Sequence, residues 1–146
     1  MRLEFTEKEL RYHNMWLSVA QSVSVMSHCT RKKVGCIVVK NGQIVSQGWN
    51  GTPAGVDNCC EDSTNTTHSY VIHAEVNAIN KLLDTNPEAL ECSAIYMTLQ
   101  PCVECAELII RCKISEVHYI SEYRDASGLN LLLAANVPVF HHPITT

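Results

Sequence analysis

The sequence predicts an α/β fold built on one mixed sheet, and three observations carry the prediction. An Asn41-Gly42 pair joins two β-rich runs, a helical apolar period precedes them, and from residue 94 onward strand-like and helix-like segments alternate. The hairpin demands antiparallel pairing, whereas the alternation demands parallel strands with helices packed over them. A length of 146 residues suits one domain, 1–146, with a single core.

Thr6 followed three residues later by Glu9 is a capping-box pattern. Leu10, Trp16, Leu17, Ala20, Val23 and Met26 then recur near helical spacing and predict a first helix over 7–26. Strands are expected over 34–40 and 43–49, on either side of the Asn-Gly turn. Residues 50–70 are rich in Gly, Asn, Asp, Ser and Thr and lack any period, which predicts a long loop of the kind that usually carries function or moves. Val76, Ile79, Leu82 and Leu83 predict a second helix over 72–83. A strand over 94–99 leads to Pro101, placed where a helix N-terminus tolerates a residue without an amide hydrogen, and a third helix runs to about 111. A strand over 116–121, an apolar helix over 128–135 and a last strand over 137–140 complete the chain, with Pro138 suited to a sheet edge. Leu129, Leu131, Leu132, Leu133, Ala134 and Ala135 make that last helix apolar nearly all round, either to fill the core or to face another subunit.

Composition narrows the function. With 46% hydrophobic and 18% charged residues and a formal charge of −4, the chain is neither disordered nor suited to neutralising the phosphates of a nucleic-acid polymer. Arg31, Lys32 and Lys33 are the one compact basic group, which suits a single phosphate or is a solvated turn. No stretch has the apolar length of a membrane span and the first ten residues lack a signal-peptide core, so a cytoplasmic protein without membrane contact is expected. On the same ground the eight cysteines are expected to be reduced thiols and metal ligands rather than a disulfide framework.

The chemistry lies in His73-Ala74-Glu75 and Pro101-Cys102-Val103-Glu104-Cys105, each at a predicted helix start. Cys102 and Cys105, three apart, present both sulfurs on one helical face, and an imidazole with two thiolates is a zinc set. Helix N-termini favour the thiolate forms. Three protein ligands leave the fourth zinc position to water, whose pKa then falls to roughly 7. Glu75, two residues from His73, is placed to carry protons for that water. Alone, Cys-x-x-Cys is equally a redox dithiol and a single histidine is usually structural. In this order and about 30 residues apart, His-x-Glu and Pro-Cys-x-x-Cys are the signature of zinc nucleobase deaminases.

Four segments together resemble the deoxycytidylate deaminase family, especially its phage-type members. They are Ser27-His28-Cys29-Thr30-Arg31 with Val34-Gly35, Gly48-Trp49-Asn50-Gly51-Thr52-Pro53-Ala54-Gly55, the run from His73 to Ile79, and the Pro101 to Cys105 motif. The Gly-aromatic-Asn-Gly and Ser-x-Cys-x-Arg elements make the likeness specific, and it extends from the first helix to about Asn136. The resemblance implies a three-layer αβα cytidine-deaminase-like fold with a central five-stranded mixed sheet flanked by helices. It implies hydrolysis of dCMP to dUMP and ammonia, with zinc held by His73, Cys102 and Cys105 and Glu75 as proton shuttle. Ser27 and Arg31 would meet the 5′-phosphate, Asn50 the sugar and the Ala74 backbone the pyrimidine edge. Tyr123 and Arg124 match a position that closes over substrate, although Tyr123 also reads as a half-buried aromatic at a strand end.

The same resemblance implies a homo-hexamer activated by dCTP and inhibited by dTTP, with Mg2+ accompanying the triphosphate and the product feeding thymidylate synthesis. Gly51, Thr52, Pro53, Ala54, Gly55 and Asn58 match the effector loop, or are simple turns. A second, structural zinc would draw on Cys29, Cys59, Cys60 and His68. Val71, two before His73, is no ligand, so either another residue completes that set or the second metal is absent and the cysteines are buried as small apolar residues. The rival readings are a deaminase of another cytosine compound, nucleoside, dCTP or polynucleotide, and a catalytically silent zinc or nucleotide-binding module.

Overall fold

The capping box forms: the Thr6 side chain accepts from the Glu9 amide and the Glu9 carboxylate accepts from the Thr6 amide, starting α1 (Glu7–Ser24). The computed structural model describes residues 4–143. The helix buries His13, Leu17, Ala20 and Val23, while Leu10 and Met26, expected on the same stripe, are 40% and 56% exposed. Met26 lies beyond the last helical residue, where the 3.6-residue period no longer applies.

Strands β1 (Gly35–Lys40) and β2 (Gln43–Trp49) pair antiparallel around Asn41 and Gly42, whose φ angles of 52° and 75° supply the left-handed turn that matches strand twist. After the long loop come α2 (Ala74–Thr85), a 3₁₀ turn at Pro87–Ala89, and β3 (Ala94–Leu99). The chain closes with α3 (Val103–Arg111), β4 (Glu116–Ser121), α4 (Ser127–Ala134) and β5 (Val139–His141). The sheet has five strands in the order β2-β1-β3-β4-β5. β1 is antiparallel to both β2 and β3, and β3, β4 and β5 are parallel, so the sheet is mixed as expected. Pro138 sits just before the edge strand rather than inside it, and its carbonyl accepts from the Val117 amide.

Strand alternation sorts the core into two layers. Ile37, Val39 and Tyr96 meet Leu17 and Val23 of α1 on one face. Cys36, Val38, Ile95 and Met97 meet Ala78, Ile79 and Leu82 of α2, Ala106 and Ile109 of α3 and Leu132 of α4 on the other. Leu132 is fully buried and Leu133 is 53% exposed, so the core covers one side of α4. Among the described residues no helix is long and apolar enough to cross a membrane.

The long loop is irregular, with isolated bridges Gly51–Ile72 and Glu61–Thr67. It folds back on the turn after α1, where Cys29 and Cys60 form a disulfide. The expectation of reduced thiols fails for this pair, because the loop brings two buried sulfurs together that lie 31 residues apart in the chain. Cys36, Cys59, Cys92, Cys102, Cys105 and Cys112 are free.

Candidate active site

Parallel strands point their carboxyl ends the same way, and the loops after β3 and β4 therefore meet at one end of the sheet. There α2 and α3 begin, each with a chemically active residue at its N-cap. His73 (φ −70°, ψ 153°) caps α2 and Cys102 (φ −77°, ψ 175°) caps α3, both in extended backbone. Both helices thus start two residues later than the sequence pattern suggests, and Pro101 precedes the cap instead of opening the helix.

His73 Nδ1 lies 3.5 Å from Cys102 Sγ and 3.3 Å from Cys105 Sγ. All three donor atoms fall within 4.8 Å of one another. A nitrogen and a sulfur on one zinc tetrahedron stand roughly 3.6 Å apart, so the set fits that ion without rearrangement. Hydrogen bonding to Cys102 raises His73 to about 9 against its partial burial, and the Cys105 thiol, hydrogen-bonded to Cys102, lowers Cys102 to about 4. Cys105 moves upward, chiefly because it serves as partner in that same bond.

Glu75, 4% exposed, is in the first turn of α2 beside these donors. Burial pushes its carboxyl up, while a hydrogen bond with Cys105 and the charge of His73 pull it back. Helix α2 is seated on β2 by close packing: a Cβ on Gly48 would stand 2.5 Å from the Ala74 carbonyl oxygen and 2.6 Å from the Ala78 nitrogen. Asn77 Nδ2 donates to the Trp49 carbonyl and Ser46 Oγ to that of Ala78. Gly128 does the same for α4, whose backbone lies against the Pro101 and Cys102 carbonyls too closely for a side chain.

A cavity of about 440 Å³ opens over this group, lined among others by Arg31, Lys32, Asn50, Glu61, Ala74, Glu75, Gln100 and Tyr123. That is within the size range of small-molecule sites. Asn50 forms part of its wall and clamps the basic turn, accepting from the Val34 amide (2.8 Å) and donating to the Lys32 carbonyl (2.8 Å). One N–H of the carboxamide is left for a ligand. Exposed Tyr123 lines the cavity, with Lys32 Nζ 5.3 Å from its ring centre. Ser27 is outside the lining: it is 3% exposed, donates to the Asn50 carbonyl and accepts from the Cys29 amide. Arg124 and the turn Gly51, Thr52, Pro53, Ala54, Gly55 and Asn58 are outside it as well.

Of the residues considered for a second metal, Cys29 and Cys60 come together, joined by Glu61, an acid that the sequence pattern does not single out. Cys59 is exposed and its thiol donates to the Glu61 carbonyl, while His68 stacks on Tyr70. With the two sulfurs bonded to each other, the group offers no thiolate. Glu61 accepts from the Thr30 and Arg31 amides and the Thr30 hydroxyl; burial raises its carboxyl, but these donors outweigh that and hold it low. Gln100 is a second unanticipated wall residue.

Residues 7–121 match the family model described as "Cytidine and deoxycytidylate deaminase zinc-binding region". A Caenorhabditis elegans protein named "Probable deoxycytidylate deaminase" is 38% identical over 131 residues, covering 85% of this chain and 64% of its own length. The deoxycytidylate deaminase of Enterobacteria phage T4 is 31% identical, with 87% of this chain and 88% of that protein covered. The crystal structure of dCMP deaminase from cyanophage S-TIM5 in complex with dCMP and dUMP superposes with a TM-score of 0.87. It is 37% identical and spans 94% of this chain and all of that one.

Proposed function

The chain belongs to the cytidine and deoxycytidylate deaminase family, and from that premise we propose that it hydrolyses dCMP to dUMP and ammonia. One observation carries the reading: a zinc-type donor trio and a buried carboxylate meet at a nucleotide-sized cavity whose lining also includes Arg31 and Lys32. The relatives supply the substrate, being named for deoxycytidylate, with one of them crystallised with dCMP and dUMP.

Held by His73, Cys102 and Cys105, zinc would supply Lewis-acid activation of a water. The remaining work falls to the chain. Glu75 takes the proton from the attacking water and delivers protons to N3 of the ring and then to the departing amine. Water adds at C4, the C4–N bond breaks, and ammonia leaves. The Ala74 backbone meets the pyrimidine edge, the spare N–H of Asn50 the sugar, and the Arg31 fork the 5′-phosphate. Ser27 supports this arrangement from behind by fixing the Asn50 carbonyl. Tyr123 covers the nucleotide.

Family resemblance supports the rest of the proposal: a cytoplasmic homo-hexamer supplying dUMP for thymidylate synthesis, activated by dCTP and inhibited by dTTP, with Mg2+ on the effector and the turn from Gly51 to Asn58 near it. Ammonia release from dCMP, deoxycytidine, dCTP and a cytosine oligonucleotide, each with and without the effectors, tests it. dCMP is expected to react best. Turnover of the oligonucleotide alone, or none by zinc-loaded protein, would remove the reading.

A further inference from the structure

Gln100 is 6% exposed, and a polar side chain so far removed from water needs partners for its amide. It finds them in the backbone of the β4–α4 loop. Its Oε1 accepts from the Tyr123 amide at 2.8 Å, and its Nε2 donates to the Asp125 carbonyl at 2.8 Å. The Gln100 main-chain amide donates to Ser121 (2.9 Å), extending the β3–β4 ladder by one bond past the strand ends. Pro101 follows, and a proline there disfavours a helical backbone at Gln100. At the far end of the loop the Asp125 carboxylate accepts from the amide and hydroxyl of Ser127, fixing the entry to α4.

We propose that Gln100 is a positioning residue whose carboxamide holds the Tyr123–Asp125 backbone so that the Tyr123 ring closes the nucleotide pocket. The geometry is specific to that task. Gln100 adjoins the Pro101-Cys102 turn that carries a metal donor, so its two bonds tie the lid directly to the reacting end of the pocket. Tyr123 is 44% exposed, and Lys32 Nζ stands 5.3 Å from its ring centre. The loop is thus located through its backbone, which leaves the ring free to meet a ligand. This inference rests on the reading that the cavity takes a cytosine nucleotide.

Gln100→Met keeps length and removes both bonds; Gln100→Glu keeps the acceptor for Tyr123 and removes the donor to Asp125. For Gln100→Met, KM for dCMP is expected to rise about 10-fold with kcat within about 3-fold, since the lid binds substrate and transition state alike. Hydrogen exchange at the Tyr123 amide should speed up by about 10-fold, and zinc content should hold. Gln100→Glu should restore Tyr123 amide protection and an intermediate KM, and it serves as the test if the Met variant does not fold. Adding Gln100→Met to Tyr123→Ala should raise KM no further. The proposal is overturned by an unchanged KM with a freed Tyr123 amide, by additive effects in the double variant, or by lost zinc with a collapsed kcat. Wild-type turnover of dCMP tests the underlying reading separately; exchange at Tyr123 and the variant comparison, run on whichever cytosine compound the wild type deaminates, test the clamp.

Discussion

Gly48→Ala probes how the fold holds the site. The added Cβ would meet the Ala74 oxygen at 2.5 Å and the Ala78 nitrogen at 2.6 Å, against 3.4 Å or more for ordinary contact. Both atoms are helix backbone, so no rotamer change relieves the clash, and α2 must retreat from β2 by roughly 1 Å. Overpacking of this kind costs about 1–3 kcal/mol of stability. The retreat also carries His73 and Glu75, at the N-cap and first turn of α2, away from Cys102 and Cys105 on α3. A misplacement of roughly 1 Å near the reacting atoms lowers kcat/KM by about 100-fold. The assays are a urea unfolding curve, zinc content and ammonia release from dCMP. Unchanged midpoint and unchanged kcat/KM together would refute the claim that Gly48 seats α2.

Glu75→Gln is expected to lower kcat by about 10²–10⁴-fold while zinc content and circular dichroism stay as in wild type; full turnover in the ammonia assay would contradict the shuttle. Arg31→Ala should raise KM for dCMP by roughly 10–100-fold and leave deoxycytidine unaffected, the loss of a charge-assisted phosphate contact. Equal effects on the two substrates would dissociate Arg31 from the phosphate. His142 gives a stability prediction: burial first, then charge on His118, His13 and His141, holds it at about 4 against 6.5. The unfolded chain takes up its proton as pH falls through 6.5 while the folded chain resists down to about 4, so stability is full above 6.5 and declines below it. Between pH 7 and 5 the ceiling is about 2 kcal/mol, or about 1 kcal/mol with solvent screening, read from urea midpoints. An equal decline in His142→Gln would rule this group out.

Much of the architecture was legible because local rules and tertiary demands agree. The capping box at Thr6, the Asn41-Gly42 turn and the strand-helix alternation after Ala94 each specify backbone that the packed sheet also requires. Boundaries were less legible where a side chain has a second task. His73 and Cys102 are poor N-cap residues by propensity, so nothing marks them as caps, yet both hold that position as candidate metal donors. Leu10 and Met26 fit the helical period of α1 but fall where no partner layer covers them.

What the sequence concealed shares one physical cause. Glu61, Gln100 and Asn50 act on the candidate site through main-chain amides and carbonyls of segments distant in the chain: Thr30 and Arg31, Tyr123 and Asp125, Lys32 and Val34. Every residue type except proline offers those same groups, so the partner segment carries no compositional trace of the contact. A ligand trio is different, because chemistry restricts it to a few residue types at helical spacing. The same contrast explains Cys29 and Cys60, whose pairing depends on where a loop without periodicity folds back. It follows that the donors of such a site can be read from spacing, whereas the residues that set its shape, as Asn50 does by clamping the Lys32–Val34 turn, emerge only when the chain is folded.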